Sequence, residues 1–442
     1  MKETNGFTAH EDSRIDSQLR KHLQIITEEI VKTYGRVYSI ILAGGFGRGE
    51  GSIRYLPAGG VLPLKDYDIY VITDQVVTEA EFLDMISRIH QELGIQSSWY
   101  FSVGPGEFNI GIQAISPRKL VRLPPDIATV DLKLASKVVY GEDLREKIPV
   151  GVEDVALSSG AIVLFNKIIG LLEEMNPRYL IEQPEEEKRL SMIYHCGKTY
   201  IEICTALTIL ARRYVPTYSE RSKNFQRFYR TEFPQLSATI PDLPRLVDFF
   251  TKLKLRSDFE SYKENCISLW FDTKDDFNEV LRYYMEKYLH VRLSKDWIEF
   301  SKKIYAQMGH IFFREYLYYN LRYMKWYTQS ALTPLSMIGQ IYDNFLFIKK
   351  TYMIKKRLHI LPLFFWRSPL LKIFSASVLA FNAIQKDGNI NMTLLKESEK
   401  YLQRAYPVPY TGSGHIAQWN AIRHACVEAQ KLYFTRKEIT AI

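Results

Sequence analysis

The apolar positions of this chain change their period once, near Val152, and that change divides it. Leu19, Leu23, Ile26 and Ile30 recur at helical spacing and predict a helix over about Ser17–Tyr34. The unbroken apolar run Val37–Ala43 suits a buried strand and stops at Gly44-Gly45. A glycine-rich turn bearing Arg48 follows. The segment YLPAGGVLPLK, with Gly59-Gly60 and two prolines, then reads as a loop, and DYDIYVIT as a second strand. Next come a helix over about Thr78–Leu93, opened by acidic residues that suit its N-terminal dipole, and a third strand near Phe108–Ile115. A helix in DIATVDLKLASK and a short strand ending at Gly141 complete the first part. Beyond Val152 strand signals vanish. Helices are expected over Ala156–Met175, Leu190–Arg213, Leu253–Leu269 and Asp275–Leu289, with Thr217 or Ser219 capping a further one. No internal repeat or low-complexity segment interrupts the pattern.

The chemistry-bearing residues cluster where the first two strands meet. Side chains at i and i+2 on a strand share a face, roughly 6–7 Å apart along it. Asp66 and Asp68 therefore stand side by side, close enough to share a divalent cation. Magnesium favours carboxylate and phosphate oxygens and keeps several waters. A backbone rich in glycine brings its N–H groups close to a phosphate with no Cβ in the way. The glycine turn and the acid pair together suit a metal-bound nucleoside triphosphate.

At these residues the sequence resembles the DNA polymerase β-like nucleotidyltransferase superfamily, in particular its small bacterial antibiotic-adenylyltransferase-like members. The shared pattern is a glycine pair after a strand (Gly44-Gly45), then Arg48, Gly49 and Glu50, then Asp-x-Asp (Asp66, Asp68) opening another strand. The spacer is longer here than is usual in that family, and the resemblance covers about the first third of the chain. It implies an α+β fold, with a mixed-sheet nucleotidyltransferase core followed by mostly α-helical regions. It also implies transfer of a nucleoside monophosphate from a nucleoside triphosphate to an acceptor hydroxyl with Mg²⁺ (or Mn²⁺). Asp66 and Asp68 would be the metal ligands and catalytic residues, with Gly44, Gly45, Arg48 and Gly49 on the nucleotide. The family places a third carboxylate on the third strand, where this chain offers Asn109 and Gln113; Glu107 or Asp131 is the alternative donor. Amides coordinate through oxygen but cannot act as a general base. A second reading is therefore a catalytically degenerate nucleotide-binding scaffold.

Length and composition add three constraints. At 442 residues, with 46% hydrophobic and 24% charged positions, the chain has room for two or three globular domains. The expected division is a catalytic domain over 1–150, a helical and acceptor-side domain over 151–290, and a basic, tyrosine-rich helical domain over 291–442. The four cysteines show neither metal spacing nor a disulfide framework, and MKETNGFTAHEDSR lacks an apolar secretory core, so a cytoplasmic location is expected. The formal charge of +8 is unevenly spread: Arg282–Lys372 carries 16 Lys plus Arg against 5 Asp plus Glu, a net of +11. There the aromatics interleaved with Arg314, Arg322 and Lys325 are read three ways: as core, as a nucleic-acid surface, or, through LPLFFWRSPLLKIF and Trp366, as a peripheral membrane contact. Arg212, Arg213, Arg221 and Lys223 are candidates to face the cleft. Arg189 and His195 have the spacing of a ribonuclease motif, for which a core or capping histidine is the simpler explanation.

Overall fold

The computed structural model describes residues 6–10, 12–55, 61–63, 66–94, 110–321, 329–356, 358–408 and 414–434. Helix α1 (Ser13–Tyr34) is capped by Asp12 and buries Leu19, Leu23, Ile26 and Ile30. Then come β1 (Ser39–Ala43), the one-turn α2 (Gly44–Gly47), β2 (Ile53–Tyr55), β3 (Val61–Pro63), β4 (Tyr67–Ile72) and α3 (Glu79–Leu93). The capping box between Thr78 and Glu81 sets the start of α3. Strand β5 (Ile110–Ile115), α4 (Pro117–Leu120), α5 (Ile127–Leu134) and β6 (Lys137–Gly141) close the unit. The sheet order is β5-β4-β1-β6, with β4 and β5 parallel and the other pairs antiparallel.

Alternation along the strands gives the sheet two apolar faces. Ile40, Leu42, Ile69 and Val71 pack under α1 and α3. Ile41, Ala43 and Ile72 face Val130 and Leu132 of α5, and also Ile209 and Tyr214 from the helical part of the chain. The two parts thus share buried apolar surface, the main cohesive term in such a junction. The segment expected to be a loop is instead flanked by an antiparallel hairpin, Ile53 opposite Pro63 and Tyr55 opposite Val61. Its β-branched and aromatic residues on either side of Gly59-Gly60 favour that pairing; Gly59-Gly60 themselves lie outside the described residues.

The rest is helical: α6 (Leu157–Glu174), α7 (Glu186–Leu210), α8 (Tyr218–Glu232), α9 (Pro234–Thr239), α10 (Leu243–Arg256), α11 (Cys266–Leu289), α12 (Trp297–Leu321), α13 (Gln329–Lys355), α14 (Pro369–Ala383), α15 (Met392–Gln403) and α16 (His415–Phe434). One core runs from Ala161 to Leu432, drawing on α6 through α16. The helix expected over Leu253–Leu269 does not form. Ser257 turns left-handed (φ 55°) and ends α10, and Asn265 accepts from the Ile267 and Ser268 N–H groups to start α11, which runs unbroken to Leu289. Of residues 361–374, read as one possible membrane contact, 368–374 lie in the core as the cap and start of α14, while Leu361, Leu363 and Phe364 are exposed. Among the described residues no helix is long and apolar enough to cross a membrane.

Candidate functional site

The acid pair sits where β1 hands over to the glycine turn. Asp68 is in register with Ala43, the last residue of β1. Gly44 follows with φ +62°, a left-handed conformation that glycine adopts freely. A Cβ on Gly44 would fall 1.9 Å from Asp68 Oδ2, so the turn's backbone lies directly against that carboxylate. Gly47 is confined similarly, its missing Cβ 2.4 Å from the Leu42 carbonyl oxygen. Asp68 keeps solvent access yet is hemmed in by protein. That desolvation, with the nearby Asp66 charge, pushes its carboxyl up to about 6 although Arg48 pulls the other way. The two acids therefore lie close enough to repel, the arrangement that a bound cation relieves.

Arg48 is held on several sides. Its Nη1 donates to Asp131 Oδ2 at 2.8 Å, its guanidinium lies 4.8 Å from the Tyr218 ring centre, and Nε is 3.8 Å from Glu50 Oε2. Burial opposes its charge, and the surrounding Tyr218, Asp131 and Glu50 more than restore it. Nε is buried without a hydrogen-bond acceptor among the described residues, so one donor remains to offer a ligand. Glu50 clamps the two parts of the chain together: its carboxylate accepts from the Tyr218 and Ser219 N–H groups at 2.8 and 2.9 Å, at the start of α8. The cap of α8 is Thr217, whose hydroxyl accepts from the Glu220 N–H.

Four residues that the sequence reading passed over lie on the helical side of the glycine turn. Lys198 and Glu202, one turn apart on α7, pair at 2.7 Å with side chains 14% exposed each. Lys198 also donates to the Tyr218 hydroxyl at 2.6 Å. Burial penalises both charges. The pairing outweighs that penalty, holding Lys198 above its ordinary range and Glu202 down to about 2. Lys254, on α10, reaches the Glu50 carbonyl and Ser52 at 3.3 and 3.4 Å and lies 4.9 Å from the Tyr218 ring centre. Burial, then repulsion from Lys198, pulls it down to about 7. Tyr194 on α7 is raised to about 12, chiefly by burial, with Asp66 the last among the charges it feels. Arg48, Lys198 and Lys254 thus surround one tyrosine ring beside two acids, a setting suited to a polyphosphate and its cation.

The third-acid position is not filled by a carboxylate in the described part of β5. Gly111 is the register partner of Asp68 and Gln113 that of Tyr70; Glu107 and Asn109 lie outside the described residues. Asp131 is engaged elsewhere, accepting from Arg48 and, at 2.7 Å, from the Tyr214 hydroxyl. Among the described residues no three His, Cys, Asp or Glu converge as a metal cluster. Of the other candidate cations, Lys223 is exposed on α8 and the rest serve the fold. Arg212 donates to the Val155 carbonyl, Arg213 pairs with Glu232, and Arg221 is buried on Thr205, Tyr214 and two carbonyls. Arg189 pairs with Glu186 and donates to the Tyr262 carbonyl, while His195 stands 3.5 Å from Glu174, so the two form no shared site. The side chains of Arg314, Arg322 and Lys325 lie outside the described residues.

A broad open cleft of ≈ 1880 Å³ lies between α1, the β6 edge and the Gly47–Glu50 turn; neither Asp66 nor Asp68 lines it. The acid pair, not that larger space, carries the chemical argument. No family model matches this chain, and no curated protein matches its sequence.

Proposed function

We propose that this chain is a nucleotidyltransferase of the polymerase β-like type, moving a nucleoside monophosphate from a nucleoside triphosphate to an acceptor hydroxyl. The observation that carries the reading is the backbone of Gly44 laid against Asp68, with Asp66 beside it. Asp66 and Asp68 would hold Mg²⁺ or Mn²⁺, which supplies charge neutralisation and alignment of the transferring phosphoryl group when bound. The residues present suit that role. Two acids repel one another with no cation between them, and a buried Arg48 Nε awaits an acceptor. Gly44, Gly45 and Gly49 let the turn approach a triphosphate closely, and Arg48, Lys198 and Lys254 offer positive charge to its oxygens. The Glu50 clamp keeps the helical wall at a fixed distance from the acids.

Asp68→Asn tests the reading: folded protein that no longer releases pyrophosphate from Mg²⁺ and triphosphate supports it, and unchanged turnover refutes it. One observation favours a second reading, a nucleotide-binding scaffold without chemistry: the residue opposite Asp68 is Gly111, and Asp131 is already committed to Arg48 and Tyr214. Triphosphate binding by calorimetry with no pyrophosphate across a broad acceptor panel would establish that alternative. Of the described cations in residues 282–372, the charge proposed for a nucleic-acid or membrane surface, three turn inward, while Lys287, Arg292, Lys295, Lys302, Lys303, Lys349, Lys355 and Lys356 stay exposed. Lys372 is fully buried on Asn344 and the Phe365 carbonyl, Lys350 donates to the Tyr433 carbonyl, and Arg367 to that of Ala306.

A further inference from the structure

Helix α13 carries an outer face that nothing in the described structure covers. Ile338, Ile341, Tyr342 and Phe345 recur on one side at helical spacing, with exposures of 62, 48, 61 and 56%. The helix touches the short 3₁₀ turn Leu361–Phe364, where Leu363 and Phe364 are 53 and 73% exposed. Tyr352, 53% exposed, continues the same stripe. At ~180 Å² for a full large side chain these seven residues offer on the order of 700 Å². The largest apolar patch on a typical monomer is about 300–600 Å², whereas a standard interface takes about 800 Å² from each partner.

We propose that this face is a self-association surface, in which α13 packs antiparallel against α13 of a second copy about a two-fold axis near Tyr342 and Phe345. The charge layout selects the antiparallel arrangement. Lys349 is exposed on the same face, toward its C-terminal end, and exposed Lys356 follows the end of the helix. With the axis at Tyr342–Phe345, the two Lys349 residues stand roughly 16 Å apart along the helices, from a rise of about 1.5 Å per residue. That exceeds the screening length of about 10 Å at 0.1 M salt. A parallel pairing would stack the lysines. The result is an apolar centre with a charged rim, the usual anatomy of a symmetric interface. An anionic lipid surface would instead favour cations distributed round the whole patch. The proposal does not depend on the nucleotidyltransferase reading.

Sedimentation velocity of the full chain over about 1–50 µM, a span of ordinary dimer affinities, is the test. The expected result is a doubling of the 51.7 kDa mass. Ile341→Lys with Phe345→Glu should weaken association by roughly 100-fold or more, with an unchanged far-ultraviolet circular dichroism spectrum. Phe249→Glu, at an exposed site on α10 outside this face, should leave the dimer intact. Tyr342→Cys with Phe345→Cys should give a covalent dimer on oxidation, because all four native cysteines are buried and do not compete. Wild type that stays monomeric throughout, a dimer indifferent to the Ile341 and Phe345 changes, a dimer that the new thiols fail to trap, or a monomer that pellets with phosphatidylserine vesicles would each overturn the proposal.

Discussion

Replacing Gly44 with alanine separates the geometry of the site from the chemistry of its acids, because it leaves both carboxylates in place. Two costs follow from the structure. The left-handed backbone at φ +62° charges an L-residue about 1–2 kcal/mol. The new Cβ would also sit 1.9 Å from Asp68 Oδ2, so the carboxylate must withdraw by about 1.5 Å to reach an ordinary 3.4 Å contact. Misplacing a reacting group by about 1 Å can cost 10²-fold in rate. Gly35→Ala is the control. Gly35 has φ +70° and nothing within 4 Å of its missing Cβ, so it suffers the backbone strain without the collision. Gly35→Ala should lose about 1–2 kcal/mol in urea unfolding, and Gly44→Ala that much or more, since the collision adds to the strain. Only Gly44→Ala should also lose pyrophosphate release, by roughly 100-fold. Full turnover by Gly44→Ala, or equal loss in both, would show that the turn does not position Asp68.

Three other outcomes follow from the same cleft. The folded-state value of Asp68 is raised from 3.8 to about 6, so the folded chain holds that proton more tightly than the unfolded chain, and stability falls as pH rises from about 4 to 6. Asp68→Asn should therefore stabilise the metal-free protein at pH 7.5 by on the order of 1 kcal/mol, solvent access having been discounted, and give nothing at pH 4. The opposite sign holds for Lys254, lowered from 10.5 to about 7, so that stability climbs as pH rises between those values. Lys254→Met should raise the melting temperature at pH 7 while weakening triphosphate binding by about tenfold or more in calorimetry, through one lost charged hydrogen bond of ~1.5–3 kcal/mol. Glu50→Ala removes the carboxylate that accepts from Tyr218 and Ser219 and should cost about 1–2 kcal/mol in urea unfolding; an unchanged midpoint would show that the clamp contributes nothing.

The parts of this structure readable from the sequence are those fixed by short-range pattern. The apolar stripe of α1, the break after Ala43 and the strand that carries Asp68 each depend on neighbours within a few residues, and each appears in the structure, with Asp66 just ahead of β4. The helical wall of the cleft was illegible because it is built by distant contacts: Glu50 meets Tyr218 across 168 residues. One signal was present. Leu243, Val247 and Phe250 form the apolar stripe of α10, and Lys254 continues it at helical spacing, a cation where a core residue belongs. Lys372 shows the converse. It lies in an apolar stretch open to a membrane reading, and its buried partners Asn344 and Phe365 cannot be inferred from local pattern.

The acid inventory of the cleft bears most directly on whether chemistry follows binding. In a parallel pair with Asp68 opposite Gly111, the side chain on β5 that would join the acids is a hydrogen atom, and Gln113 is two residues further along, opposite Tyr70. Asp131 is spent on Arg48 and Tyr214. Glu202 on α7 is paired with Lys198, which holds it at about 2, too weak a base to draw a proton from a hydroxyl near neutral pH. Asp68 is raised to about 6 in the metal-free chain, but as a metal ligand in the proposed reaction it would be held ionised by the cation rather than free to take that proton. A two-acid site of this kind must rely on positioning and charge neutralisation more than on proton abstraction. Phosphoryl transfer tolerates that division well, since its loose transition state asks little of a base.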